Sequence, residues 1–201
     1  MLIEELASDS PARVRRAARL LGDMQHPRAE GPLSELLRSP EDAMRREAAR
    51  ALGHLGSPRA IGRLSEALHG VIESAEAAAY GLGWCSGPVA MRALSTAVLD
   101  ETRGREPVRR EAALALGRIG NLEGLTALDR VLQGGKWLKR KKLRPVRLAA
   151  VEALARIGGD RARALLRELG ADPDAAVREA GAKALESMAP HPAEASDTTR
   201  N

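Results

Sequence analysis

Small and apolar residues return along this chain at steps of three and four, with polar residues filling the positions between them. In PVRREAALALGRIG, from Pro107 to Gly120, residues Val108, Ala112, Ala115, Leu116 and Ile119 fall on one helical face, which must be buried. The phrase returns as AMRREAARALGHLG from Ala43 and PVRLAAVEALARIG from Pro145. Weaker copies are ARVRRAARLLGDM from Ala12, SAEAAAYGLGWCSG from Ser74 and AAVREAGAKALESM from Ala175. The residue after the Leu of each phrase falls at Gly22, Gly53, Gly83, Gly117, Ala155 and Glu186. These markers are roughly 30 to 38 residues apart, the period of helical repeats.

Between the copies lies a second amphipathic stretch: AIGRLSEALHG from Ala60, VAMRALSTAVL from Val89, LTALDRVL from Leu125 and ARALLREL from Ala162. Each repeat therefore reads as a helix pair. Pro and Gly gather where the period breaks, at Pro40, Gly56, Pro58, Gly87, Pro88, Gly158, Gly159 and Pro173. With MLIEELA as the first helix of pair one, the chain divides into six pairs. The expected fold is an all-α solenoid over residues 1–189, followed by an aperiodic tail, 190–201, expected to be disordered.

Composition agrees with thin stacked helices. There is no Phe, and Tyr80, Trp84 and Trp137 are the only aromatic residues. Such a core is filled by Ala and Leu. The net charge of +5 is a moderate excess, since acidic residues are almost as numerous as basic ones. Cys85 is the one cysteine, so no internal disulfide forms. MLIEELASDS lacks the basic and then apolar character of a secretory signal, and no apolar run approaches the roughly 20 residues of a bilayer span. A reducing, cytoplasmic setting is expected.

The phrase V-R-x-x-A-A-x-A-L-G-x-I-G, followed by a Leu-rich helix, resembles the short HEAT-like repeats of the phycobilisome-lyase type, over nearly the whole chain. The resemblance implies architecture more than function, because that family includes bilin lyase subunits, adaptors and proteins of other roles. Repeat one lies a residue out of register, repeat three lacks V-R, and repeat six has Glu186 where Gly is usual. The first and last fit end caps; repeat three does not.

Candidate contacts lie on the positions of the phrase that face away from the core. The residue after the A-A pair gives Arg19, Arg50, Tyr80 and Leu114 in the first four repeats, and one turn later come His54, Trp84 and Arg118. Arg16, Arg46 and Arg110 add outward cations, while Glu47, Glu76, Glu111 and Glu152 make the ridge mixed in sign. Tyr80 and Trp84, four residues apart, share a helix face and form either a binding anchor or packing in an aberrant repeat. The V-R arginines Arg45, Arg109, Arg147 and Arg178 belong to the repeated phrase and read as structural, bonding to carbonyls or carboxylates of the neighbouring repeat. Gly81 and Gly83 inside a helix mark repeat three as a soft link. LDETRGREP from Leu99 reads as a linker.

Inside repeat five, QGGKWLKRKKLRP carries Lys136, Lys139, Arg140, Lys141, Lys142 and Arg144, with Trp137 and Leu138 among them. It is either a basic loop for nucleic acid, an acidic protein segment or an anionic membrane, or a solvated loop docked by its Trp. YGLGWCSG is not followed by Lys-Ser or Lys-Thr, so it makes no phosphate loop. The four His residues lack metal-ligand spacing and Cys85 has no local base, so no catalytic residue, metal or cofactor is assigned. The leading expectation is a non-enzymatic adaptor that holds another protein on the ridge of V-R-x-x-A-A helices. The alternatives are a nucleic-acid-binding HEAT-like solenoid resembling the alkylpurine DNA glycosylases, using the arginines and the basic loop, and a lyase-type subunit.

Overall fold

The computed structural model describes residues 2–102, 104–134 and 143–188. The expected tail and Lys136, Trp137, Lys139, Arg140, Lys141 and Lys142 of the basic loop lie outside them. The described residues form twelve α-helices and no strand, and the helices fall into six successive pairs. They are α1 (Leu2–Glu5), α2 (Pro11–Asp23), α3 (Glu30–Leu36), α4 (Asp42–Leu55), α5 (Pro58–Ala67), α6 (Ile72–Leu82), α7 (Pro88–Leu99), α8 (Glu106–Ile119), α9 (Leu125–Gln133), α10 (Arg144–Ile157), α11 (Gly159–Glu168) and α12 (Ala175–Ser187).

Local chemistry sets several boundaries. Ser57 caps α5 by accepting from the Ala60 amide, with Pro58 in the first turn. Asp174 caps α12 by accepting from the Ala176 amide. Gly56 and Gly120 end α4 and α8 in the left-handed conformation. The even-numbered helices, which carry the repeated phrase, stack α2 on α4, α4 on α6, and so on to α12; α3, α5, α7, α9 and α11 make a second layer. Between the layers lies an Ala and Leu core, in which Leu21, Leu52, Leu82, Leu116 and Leu154 are all buried.

The marker glycines are sites of close helix approach. A Cβ on Gly22 would stand 2.6 Å from Ala51 Cα, and one on Gly117 would stand 2.7 Å from Ala153 Cα. The marker Gly53 likewise meets the Gly81 backbone, the marker Gly83 faces the Arg118 guanidinium and Ala115 Cβ, and Gly81, outside the marker set, meets the backbone of Ala49. Of the two glycines read as lying inside the helix of repeat three, Gly81 does and Gly83 does not. Gly83 caps α6 from outside, and Gly81 lets α6 seat on α4.

The V-R arginines are structural, mostly within their own repeat. Arg109 Nε donates to Val98 O (2.9 Å) in the last turn of α7, and Arg45 Nη1 donates to Ser39 O and Pro40 O (both 2.8 Å) after α3. Arg147, fully buried, donates to Leu132 O at the end of α9 (3.2 Å) and pairs with Asp172 of repeat six. Arg178 Nη1 donates to Asp172 O (2.7 Å). Each guanidinium thus satisfies carbonyls at or just beyond the end of the first helix of its pair, where the helix dipole favours a cation. Contact with a neighbouring repeat, expected throughout, holds at Arg147.

Repeat three lacks this arginine, and the segment read as a linker replaces it. Arg105, just before α8, donates to Leu68 O and to Gly70 O (3.2 Å) at the end of α5. Asp100 holds it from the side, with Oδ2 3.4 Å from Arg105 Nε.

Candidate functional site

Stacking the even-numbered helices brings most of the outward residues of the first four repeats into one network. It begins at Glu47 on α4, which accepts from Arg19 of α2 (3.4 Å) and from Arg50 Nε one turn on (3.0 Å). Arg50 Nη1 also donates to Asp23 Oδ1 at the end of α2 (3.2 Å), and Asp23 lies 3.3 Å from His54 Nδ1. Gln25 Nε2 donates to the His54 carbonyl (2.9 Å), tying the turn after α2 to the end of α4.

The imidazole of His54 then meets the indole of Trp84, ring centres 5.1 Å apart and planes inclined at 46°. Tyr80 stands edge-on to Trp84 at 6.1 Å and 75°. The guanidinium carbons of Arg46 and Arg118 lie 4.5 and 4.8 Å from the Tyr80 ring centre, within cation–π range. Glu111 holds both cations: its carboxylate is 2.8 Å from Arg118 Nη2 and 3.6 Å from Arg46 Nη2. Arg118 Nη2 also donates to Tyr80 O (3.3 Å). Arg46 is within 4.0 Å of Glu76 as well. Glu111 is only 2% exposed, and its two arginines offset the cost of burying its charge.

Tyr80 and Trp84 consequently differ in availability. Tyr80 is half-buried beneath arginines, whereas Trp84 is 43% exposed at the end of α6. Arg16 and Arg110 are exposed, and Arg19 is exposed yet paired. Two expectations need correcting. Leu114 does not stand outward; it is partly buried and packs on the core. Arg144 is not a free cation of the basic loop, because at the start of α10 its Nε donates to Asp174 Oδ2 (2.6 Å), at the cap of α12. That bond holds the Asp174 carboxyl below the ordinary aspartate range.

Sequence reading saw Glu111 as a surface charge and missed the buried bridge it makes. Its place in the phrase, four residues before Ala115 and seven before Arg118, was the available signal. Cys85 is 3% exposed, and burial pushes its thiol up to about 12, so it offers no nucleophile at neutral pH. Among the described residues no three His, Cys, Asp or Glu side chains are grouped to hold a metal ion, and no helix is long and apolar enough to cross a membrane.

No curated protein matches the sequence. Among solved structures, the complex of CpcE and CpcF of phycocyanin lyase from Nostoc sp. is 24% identical, covers 90% of this chain and 73% of that chain, and gives a TM-score of 0.54. The likeness is one of fold. A designed armadillo repeat protein in complex with the peptide (KR)4 is 19% identical over 92% of this chain and 97% of that one, with a TM-score of 0.48. An engineered protein of the Northeast Structural Genomics Consortium is 24% identical over 92% and 94%, with a TM-score of 0.46. The PBS lyase HEAT-like repeat matches residues 108–134, and the HEAT-repeat family matches residues 1–74 and 135–197. Those matches take in both ends of the helix-pair array and most of the sequence, and the chain belongs to the HEAT-repeat family.

Proposed function

We propose that the protein is a non-enzymatic scaffold that holds a segment of another protein across the face formed by α2, α4, α6 and α8, with Trp84 as its anchor. Repeat solenoids of this kind are typical of protein-interaction scaffolds, and the face has the make-up of a protein interface. The observation that carries the reading is the state of Trp84: a large indole, 43% exposed, oriented by His54 and Tyr80. A pre-oriented aromatic loses little entropy on binding, and such residues dominate interface energetics.

The charges of the face favour a protein over a phosphate backbone. Arg19, Arg46, Arg50 and Arg118 each face a carboxylate, leaving Arg16 and Arg110 as outward cations. Neutralised arginines contribute little to counterion release on DNA, and mixed charge suits register-fixing contacts with a protein. The lyase-type reading has the fold of the phycocyanin lyase complex for support, without a nucleophile or acid nominated by the site.

Capture from a lysate of the source organism, with and without nuclease, tests the reading with wild type and Trp84→Ala. The expected result is one protein retained after nuclease and lost with Trp84→Ala, at unchanged helicity. Capture that disappears with nuclease would sink it.

A further inference from the structure

The helix layer on the other side of the core contains one member unlike the rest. Helices α3, α5, α9 and α11 each carry two or more charged residues, whereas α7, PVAMRALSTAVL, carries Arg92 alone. Its outward stripe, Val89, Arg92, Ala93 and Thr96, is continued by Asp100 directly after the helix. With Leu68, directly after α5, these residues line a groove of about 750 Å³ between α5 and α7. Val89 is 56% exposed, and among the described residues nothing pairs with the Arg92 guanidinium.

The two charges of the stripe are placed symmetrically. Arg92 lies four residues before Thr96 and Asp100 four residues after it, so both are one helical turn from the same point on the same face. Laid antiparallel on a copy of itself about Thr96, α7 sets each Arg92 against the other chain's Asp100. A two-fold contact requires this self-complementarity. We propose that the α5–α7 face pairs with the same face of a second copy, the two α7 helices crossing antiparallel at Thr96. Asp100 accepts from the Thr102 amide (3.0 Å) and flanks Arg105, and its carboxylate retains acceptor capacity for a further donor. Ala93 and Thr96 are small enough to let the helix axes approach to about 8–10 Å.

Pairing through α7 leaves the Trp84 face, which belongs to the other layer, free on each chain. The assembly becomes a bivalent scaffold, and two weak partner contacts on one assembly gain by effective concentration.

Sedimentation of the full chain over a concentration series tests the pairing with wild type, Thr96→Arg, Arg92→Glu and Thr96→Cys. The expected result is a species of twice the 21.4 kDa chain mass for wild type. Thr96→Arg and Arg92→Glu should sediment as single chains with unchanged circular dichroism. Under mild oxidation Thr96→Cys should form an interchain disulfide, which requires Cα atoms within about 7 Å, while Arg63→Cys on exposed α5 should not. Buried Cys85 does not compete. A wild type of single-chain mass throughout overturns the proposal. So does a dimer that survives both charge variants, or one in which Thr96→Cys fails to cross-link. Loss of partner capture in Trp84→Ala with the dimer intact would separate the two faces.

Discussion

At the scale of single residues, glycine has two opposite meanings in this chain. Gly117 sits where a Cβ would stand 2.7 Å from Ala153 Cα, so the backbone of α10 would have to shift. Gly62, inside α5, has nothing within 4 Å of the same position. Gly117→Ala should therefore destabilise by about 1–3 kcal/mol through overpacking, despite the better helix propensity of Ala. Gly62→Ala should stabilise by about 0.5–1 kcal/mol, because it restricts the unfolded chain and meets no obstacle. Thermal melts of the two variants should move in opposite directions; movement in the same direction would mean that α8 and α10 are not held so closely. Cys85 is a second residue-scale case. With its thiol at about 12 and 3% exposed, it should react with a thiol reagent at the rate of global unfolding, accelerating sharply in denaturant. Rapid reaction in native buffer would place the thiol in solvent instead.

At the scale of the element, the decisive devices are the arginines that close the first helix in five of the six pairs. Four repeats use the arginine of the V-R phrase, and repeat three draws on Arg105 from the following connection. Arg105→Met should leave the part-buried Leu68 O without its donor, at about 1–3 kcal/mol, while the exposed Gly70 O turns to water. Hydrogen exchange should quicken in α5 first; a uniform change along the array would assign Arg105 some other role. This device also marks how far the sequence was legible. Period, pairing and the structural role of the V-R arginines follow from spacing alone, because the pattern repeats and each copy confirms the last. The substitution of Arg105 for the missing arginine does not, since it occurs once, across a connection, and depends on where the chain turns. Glu111 was obscure for a similar reason. Arg118, seven residues on in the same helix, is within reach of a local window, but the burial also needs Arg46, two repeats earlier, which no local window contains. Leu114 shows the converse error: the phrase puts it on the outer positions, yet it is partly buried and packs against the core.

At the scale of the whole molecule, stability is a sum over neighbouring interfaces rather than the property of one central core. The interfaces between successive even-numbered helices are made of small residues at short range. In α6 the residues Ala77, Ala78, Ala79 and Leu82 are all fully or almost fully buried. Repeat three therefore owes its hold to close backbone approach, and its glycine is part of that approach. The ends are different. Helix α1 has four residues and none buried, and among the described residues α12 packs only on the α10 and α11 side, with Asp174 and Asp172 joining it to α10 through Arg144 and Arg147. Exchange of backbone amides should accordingly begin at α1 and at α12 and leave α4, α6, α8 and α10 as the slowest block. Acid should loosen the C-terminal end, and with it the contact of Asp100 with Thr102 and Arg105, because both the Asp174 and the Asp100 carboxyls are held below the ordinary aspartate range. The Asp174 carboxyl is held below its unfolded value, so its contribution is complete above the ordinary aspartate range and disappears as pH falls through the lowered value. Exchange measured at neutral and at acid pH checks both statements together. Faster exchange in α6 than in α4 and α8 at neutral pH would show that the central glycines loosen the array, and the partner face would then sit on a flexible link rather than a rigid one.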